Sequence, residues 1–299
     1  MCGIVGIYFK NKELHKHLGT MLAAMLEQMS ERGPDSAGVA VYRNTVNPPN
    51  TKLTLHSVDP EYDWNQFCVL LEKNLGAKAG IEIRVSHAVL VTDAPLAELR
   101  AWMTANCPDL RIMSAGSTIE IYKEKGTPRE FIDRFQLQDI QGSHALGHTR
   151  MATESAVTTQ HSHPFSTGLD LCLVHNGSLS NHNRLREQLQ REGIEFQTDN
   201  DSEVAAGYLM WQLQQGASLK QALTSAINDL DGFYTFAVGT RNGFAVLRDP
   251  IACKPAVMAE NDDWVAMASE YRAIAQLPGV EQAKVWEPAP ATVYSWGAE

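Results

Sequence analysis

The second residue of the chain is a cysteine, followed by Gly3-Ile4-Val5-Gly6. Once Met1 is removed, that cysteine carries both a thiol and a free α-amine. Free α-amines titrate near ~8, so at neutral pH a useful fraction is unprotonated and can take the thiol proton. Thiols titrate near ~8.5, close enough to ionise with that help. The result is a nucleophile with its own base, the arrangement known for N-terminal threonine. With Met1 in place there is no free amine and the site is off. A cysteine at position 2 is otherwise an accident of sequence. The neighbouring glycines shift the reading, because they let a substrate come close to the backbone.

Four further segments carry chemistry-bearing residues. Arg32-Gly33-Pro34-Asp35-Ser36-Ala37-Gly38 reads as a polar turn between a helix and a strand. Gly147-His148-Thr149-Arg150-Met151-Ala152-Thr153 places an arginine at the end of an apolar strand. Its planar guanidinium is a two-pronged donor for a carboxylate, or one half of a surface ion pair. His175-Asn176-Gly177-Ser178 ends a buried strand in a side-chain amide and a glycine. An Asn N–H beside a backbone N–H makes an oxyanion hole, although Asn-Gly is also a common hairpin turn. Thr198-Asp199-Asn200-Asp201-Ser202-Glu203 opens a helix with acids. Part of that cluster must be capping, and one aspartate is free to bind a substrate ammonium. His161-x-His163 supplies two metal-type ligands without a third, so it reads as structural, and no metal is expected.

These residues need a scaffold. Residues 2–9 read as a buried strand, and Leu14, Leu18, Met21, Leu22, Met25, Leu26 and Met29 recur at helical spacing. Glu31-Arg32-Gly33-Pro34 breaks that helix, and residues 37–43 form a second strand. Residues 51–112 read as a separate α/β lobe, with a strand over Ile81–Val91 and a helix over Ala94–Thr104. From 114 onward strands flank a helical middle: strands at 118–122, 143–149 and 171–175, helices near 183–191, 201–215 and 218–228, then short β-runs from 233 to 268. Strands at both ends with helices between predict an α+β layered fold.

Composition narrows the class. A length of 299 residues allows one large domain or two smaller ones, and 44% apolar with 20% charged residues is ordinary for a soluble globular chain. A net charge of −10 repels phosphate backbones and anionic lipid, so neither nucleic acid nor membrane is an expected partner. The N-terminus lacks the positive region of a signal peptide, and a cytoplasmic location is expected. Cys2, Cys68, Cys107, Cys172 and Cys253 include no Cys-x-x-Cys pair. That spacing predicts no disulfide framework, zinc ribbon or iron–sulfur cluster.

Taken in order, Cys2-Gly-Ile-Val-Gly, Arg32-Gly-Pro-Asp-Ser-Ala-Gly, Gly147-His-Thr-Arg-Met-Ala-Thr, His163-Pro-Phe, His175-Asn-Gly and Asp201-Ser-Glu resemble the class II glutamine amidotransferases, which are N-terminal-nucleophile hydrolases. Each piece is weak alone; the ordered set is specific. It covers residues 1–43 and about 113–299, leaving 51–112 unexplained. The resemblance implies a four-layer αββα sandwich forming one amidotransferase domain over 1–299, with 51–112 inserted in it. It implies Cys2 as nucleophile, with Asn176 and Gly177 as the oxyanion hole. Arg150 and Thr153 would hold the glutamine α-carboxylate and Asp201 its α-ammonium. Arg32 and Asp35 would brace the N-terminus. Met151 stands where relatives commonly carry Trp or Tyr. With Thr153-Glu154-Ser155-Ala156 and Ser178-Leu179-Ser180-Asn181-His182-Asn183, it resembles stand-alone amidotransferase subunits related to glutamate synthase and N-methylglutamate synthase. That branch implies no cofactor in this chain, and synthase subunits carrying FMN and an iron–sulfur cluster as partners. Two other readings stay open: an N-terminal-nucleophile acylase, which would not need the Arg150–Asp201 pair, and a silent docking subunit.

Overall fold

The computed structural model describes residues 2–151 and 157–297. Its strands are β1 Gly3–Phe9, β2 Ser36–Tyr42, β3 Thr51–Ser57, β4 Ala79–Arg84, β5 His87–Thr92, β6 Leu110–Gly116, β7 Ile119–Lys125, β8 His144–Arg150, β9 Cys172–Leu179, β10 Gly232–Gly239, β11 Phe244–Arg248, β12 Val257–Glu260, β13 Trp264–Ala268, β14 Lys284–Trp286 and β15 Val293–Trp296. The α-helices are α1 Leu18–Glu27, α2 Trp64–Leu75, α3 Leu96–Asn106, α4 Pro128–Arg134, α5 His182–Arg191, α6 Asp201–Gln214, α7 Leu219–Asp229 and α8 Tyr271–Ile274.

The first sheet has seven strands in the order β14-β12-β13-β1-β8-β2-β7. The second has four, in the order β15-β11-β10-β9. β1 sits deep in the first sheet between β13 and β8, and it is apolar on both faces for that reason. Val5, Ile7 and Phe9 share a core with Leu18, Leu22, Met25 and Leu26 of α1. Ile4 turns the other way and joins Leu146, Cys172, Val174, Ala237, Phe244 and Val246 in a core between the sheets. On the far side, β9, β10 and β11 share a third core with α5, α6 and α7. Three stacked cores make four layers: helix, sheet, sheet, helix. This is the αββα sandwich expected from the sequence.

Residues 51–116 add a third sheet, in the order β4-β5-β3-β6, all antiparallel. It has its own core, in which α2 and α3 contribute Trp64, Phe67, Leu71, Leu99 and Met103. Within it, the run Ile81–Val91 is two strands of a hairpin rather than one. The turn falls at Val85-Ser86, with Val85 at φ +57°, and it carries no glycine, proline or asparagine to announce it. The first strand of this sheet and α2 also escaped the sequence reading. The cues for α2 were present: Asp63 caps it by accepting from Gln66 N at 2.8 Å, and Gly76 ends it at φ +65°.

Candidate active site

Cys2 lies one residue ahead of β1 and is half-buried. By the period-two alternation of a strand it continues the row of Ile4, toward the second sheet. Its thiol donates to the Met151 carbonyl at 4.0 Å. Its carbonyl accepts from Arg32 Nε at 2.9 Å, and Arg32 Nη1 reaches Glu270 Oε1 at 2.6 Å. Arg32, 9% exposed, therefore ties the N-terminal residue to the start of α8. Glu270 was not singled out from sequence, because the bond spans 238 positions and leaves no local pattern. Next to it, Ile4 N donates to Ser269 Oγ at 2.9 Å. The Asp35 amide donates to the Arg150 carbonyl at 3.1 Å, so its main chain joins the loop to the end of β8.

Arg150 is the last residue of β8 and is 5% exposed, which removes the surface ion-pair reading. The register pairs Gly3 with Thr149, so the end of β8 lies alongside the N-terminus. Thr153 lies outside the described residues.

Asn176 and Gly177 are not in a turn. β9 runs through them to Leu179, with Asn176 opposite Thr235 and Gly177 opposite Tyr234. Cross-strand pairing wins over the local hairpin preference of Asn-Gly, because β10 supplies a full-length partner. Gly177 has φ +153°, and a Cβ there would lie 2.0 Å from the Phe233 carbonyl oxygen. Only glycine fits that approach. Asn176 alternates with His175 and so shares the inter-sheet face of Cys172 and Val174. It is 3% exposed, and its Nδ2 has no hydrogen-bond partner among the described residues. Buried amide donors are rarely left unpaired, and one that is calls for an explanation.

Asp201 opens α6 behind Asn200, whose side chain accepts from Ser202 N at 2.8 Å. Its Oδ2 accepts from Leu179 N at 2.9 Å, and its Oδ1 accepts from Ser202 Oγ at 3.2 Å. The carboxylate thus sits at the far end of the Asn176–Leu179 stretch. Asp199 is different: its side chain is 86% exposed and faces His161 Nε2 at 3.0 Å.

Three buried histidines run beneath these groups. His148 Nε2 lies 3.0 Å from the His175 carbonyl, and the His148 and His163 ring centroids are 4.0 Å apart. His175 Nδ1 lies 2.8 Å from Ser202 Oγ. Burial holds all three neutral: the pKa of His148 is pushed down to about 3, and those of His163 and His175 are lowered as well. Among the described residues no group of three or more His, Cys, Asp or Glu side chains could hold a metal ion. Nor is any helix there long and apolar enough to cross a membrane.

Two facing sheets with helices outside both, and Cys2 one residue ahead of a central strand, match the fold of the N-terminal-nucleophile hydrolases. A glutamine phosphoribosylpyrophosphate amidotransferase from B. subtilis has the same fold, with a TM-score of 0.62 at 20% identity. All of this chain aligns with 49% of that one, so it spans about half of that enzyme. A glutamine amidotransferase domain family matches residues 148–276. The glutamine amidotransferase-like protein GlxB of Rhizobium meliloti is 56% identical over 99% of this chain and 98% of its own. A protein of Methanothermobacter thermautotrophicus named for the same family is 32% identical over 98% of this chain and 99% of its own. The chain belongs to the class II glutamine amidotransferases.

Proposed function

We propose that the protein is the glutaminase subunit of an ammonia-using synthase. In this reading the Cys2 thiolate attacks the side-chain amide carbon of glutamine. Asn176 Nδ2 and the Gly177 N–H stabilise the oxyanion. Ammonia leaves with the proton that the Cys2 α-amine took from the thiol, and water hydrolyses the glutamyl thioester to glutamate. Arg150 and Thr153 hold the α-carboxylate, and Asp201 holds the α-ammonium. Arg32 and Asp35 keep the N-terminus and the end of β8 in place. The observation that carries this reading is the buried, unpartnered Asn176 amide on the inter-sheet face that Cys2 continues.

The Asp201 assignment has a direct test. Asp201→Asn keeps an acceptor for Leu179 N–H but removes the charge. Loss of a charge-assisted hydrogen bond of ~1.5–3 kcal/mol raises KM for glutamine ~10- to 100-fold. An unchanged KM means that the ammonium is held elsewhere.

The ammonia acceptor lies in another polypeptide, a synthase of the glutamate synthase or N-methylglutamate synthase type. Its FMN and iron–sulfur cluster belong to the partner subunits. Support comes from the motif set with Met151 and Ser178-Leu179-Ser180. The 51–112 lobe is the proposed contact surface, because it exposes Val58, Val69 and Ile83. Cross-linking of the purified complex is expected to join this lobe to a synthase subunit. A complex whose cross-links all avoid residues 51–112 rejects that role.

A further inference from the structure

The chemistry above makes no use of Lys123, a lysine only 4% exposed. Lysines are almost never so deeply buried without a reason. Strand pairing sets Lys123 of β7 opposite Gly38 of β2, and Gly38 opposite His148 of β8. The three form one row across the first sheet, on the face toward the second. Gly38 leaves a gap in that row, and the main chain of His163 fills it: a Cβ on Gly38 would lie 2.1 Å from the His163 carbonyl oxygen. On one side of the gap, Lys123 Nζ donates to the carbonyls of Ser162 at 2.8 Å, Pro164 at 3.1 Å and Gln160 at 3.4 Å. It also sits 4.7 Å from the centre of the Phe165 ring. On the other side, the His163 ring packs against His148. His148 in turn meets the His175 carbonyl, one residue before Asn176. The segment then exchanges two main-chain bonds with the open edge of β9, Phe165 N to Leu173 O at 3.0 Å and Leu173 N to Phe165 O at 2.8 Å.

We infer that Lys123 is a positioning residue for glutamine hydrolysis: its ammonium holds residues 160–164 so that His163, His148 and the His175 backbone keep Asn176 and Gly177 aligned with Cys2. This rests on the reading of Asn176 and Gly177 as oxyanion donors. Lys123 touches no reacting atom; it acts through a chain of contacts that crosses both sheets.

The chain has a pH signature. Burial pulls the Lys123 pKa down to about 7, with Glu203 of α6 opposing the shift. The other titratable groups near it are His56 of β3, His87 of β5 and His163, all held neutral in part by its charge. Below about 7 the ammonium has three N–H donors for three carbonyls. As pH rises through that value the amine keeps two, and one carbonyl loses its partner. The clamp is therefore strongest on the acid side.

The test is steady-state glutamine hydrolysis by wild type, Lys123→Met and Lys123→Arg, normalised to active sites by the glutamyl-enzyme burst. Lys123→Met is expected to lower kcat at least ~10-fold with KM within ~2-fold, since slight misplacement of catalytic donors costs rate more than binding. Lys123→Arg, charged at every pH, should restore much of kcat and remove the loss of rate expected in the wild type as pH rises through about 7. A Met variant with wild-type kcat per active site overturns the inference. If the Met variant does not fold, an Arg variant whose pH profile matches the wild type overturns it. Absence of Cys2-dependent turnover in the wild type sinks the glutaminase reading instead, so the two failures are distinguishable.

Discussion

Cys2→Ala abolishes glutamine hydrolysis, by at least ~10³-fold in kcat, while the protein stays folded. The nucleophile has no understudy. Thr149 Oγ1 is already committed to the Met29 carbonyl at 3.0 Å, and Cys172, in the inter-sheet core, accepts from Tyr42 Oη at 3.4 Å with its pKa pushed up to about 11 by burial. The fold survives because the structural work of residue 2 is done by its backbone. Its carbonyl receives Arg32, and alanine keeps that carbonyl. What is lost is a half-buried thiol whose contact to Met151 is a long one at 4.0 Å. Sulfur hydrogen bonds of that length add little to stability. Activity assays beside thermal unfolding of the same preparation check both halves. Retained turnover in the folded variant removes Cys2 from the mechanism, and the proposed thioester with it.

Asn176→Ala is the second large effect, and its signature is a split between rate and stability. Removing one oxyanion donor typically costs ~10²–10³ in kcat, or about 3–4 kcal/mol of barrier. Most buried amides also lose native hydrogen bonds when truncated, and the fold pays for the stranded partner. Here the Nδ2 has no such partner, so its removal strands nothing. The expected result is a deep loss of kcat, a change in KM of less than ~3-fold, and a loss of stability near or below about 1 kcal/mol. A variant that unfolds readily but turns over normally when folded shows that Asn176 is structural.

The chemistry was more legible than the contacts that position it. Cys2, Arg150, Asn176, Gly177 and Asp201 are weak signals one by one, and it is the ordered motif set, through its resemblance to a known family, that singled them out. Apolar strands and a helix with a clear period pointed to an α+β layered fold, and the four-layer sandwich followed from the resemblance. What did not show was anything set by pairing across the chain. Arg32 meets Glu270 and Lys123 meets the carbonyls of residues 160–164 because the sheets bring them together. Nothing near Lys123 in the chain distinguishes it from Lys125, two residues on and exposed. β9 shows the same limit. Asn-Gly carries a strong local turn signal, and only the presence of β10 reveals that the strand continues. In the third sheet the Val85-Ser86 turn had no turn residues to read, so two strands merged into one.

The central claim is covalent chemistry at a processed N-terminus. Acid quenching of the protein during glutamine turnover, followed by peptide mass spectrometry, measures both parts of it at once. The account predicts an N-terminal peptide that begins at Cys2, without Met1, and carries a glutamyl group on the cysteine sulfur. Turnover by protein that retains Met1, or a glutamyl group found on any other residue, contradicts it.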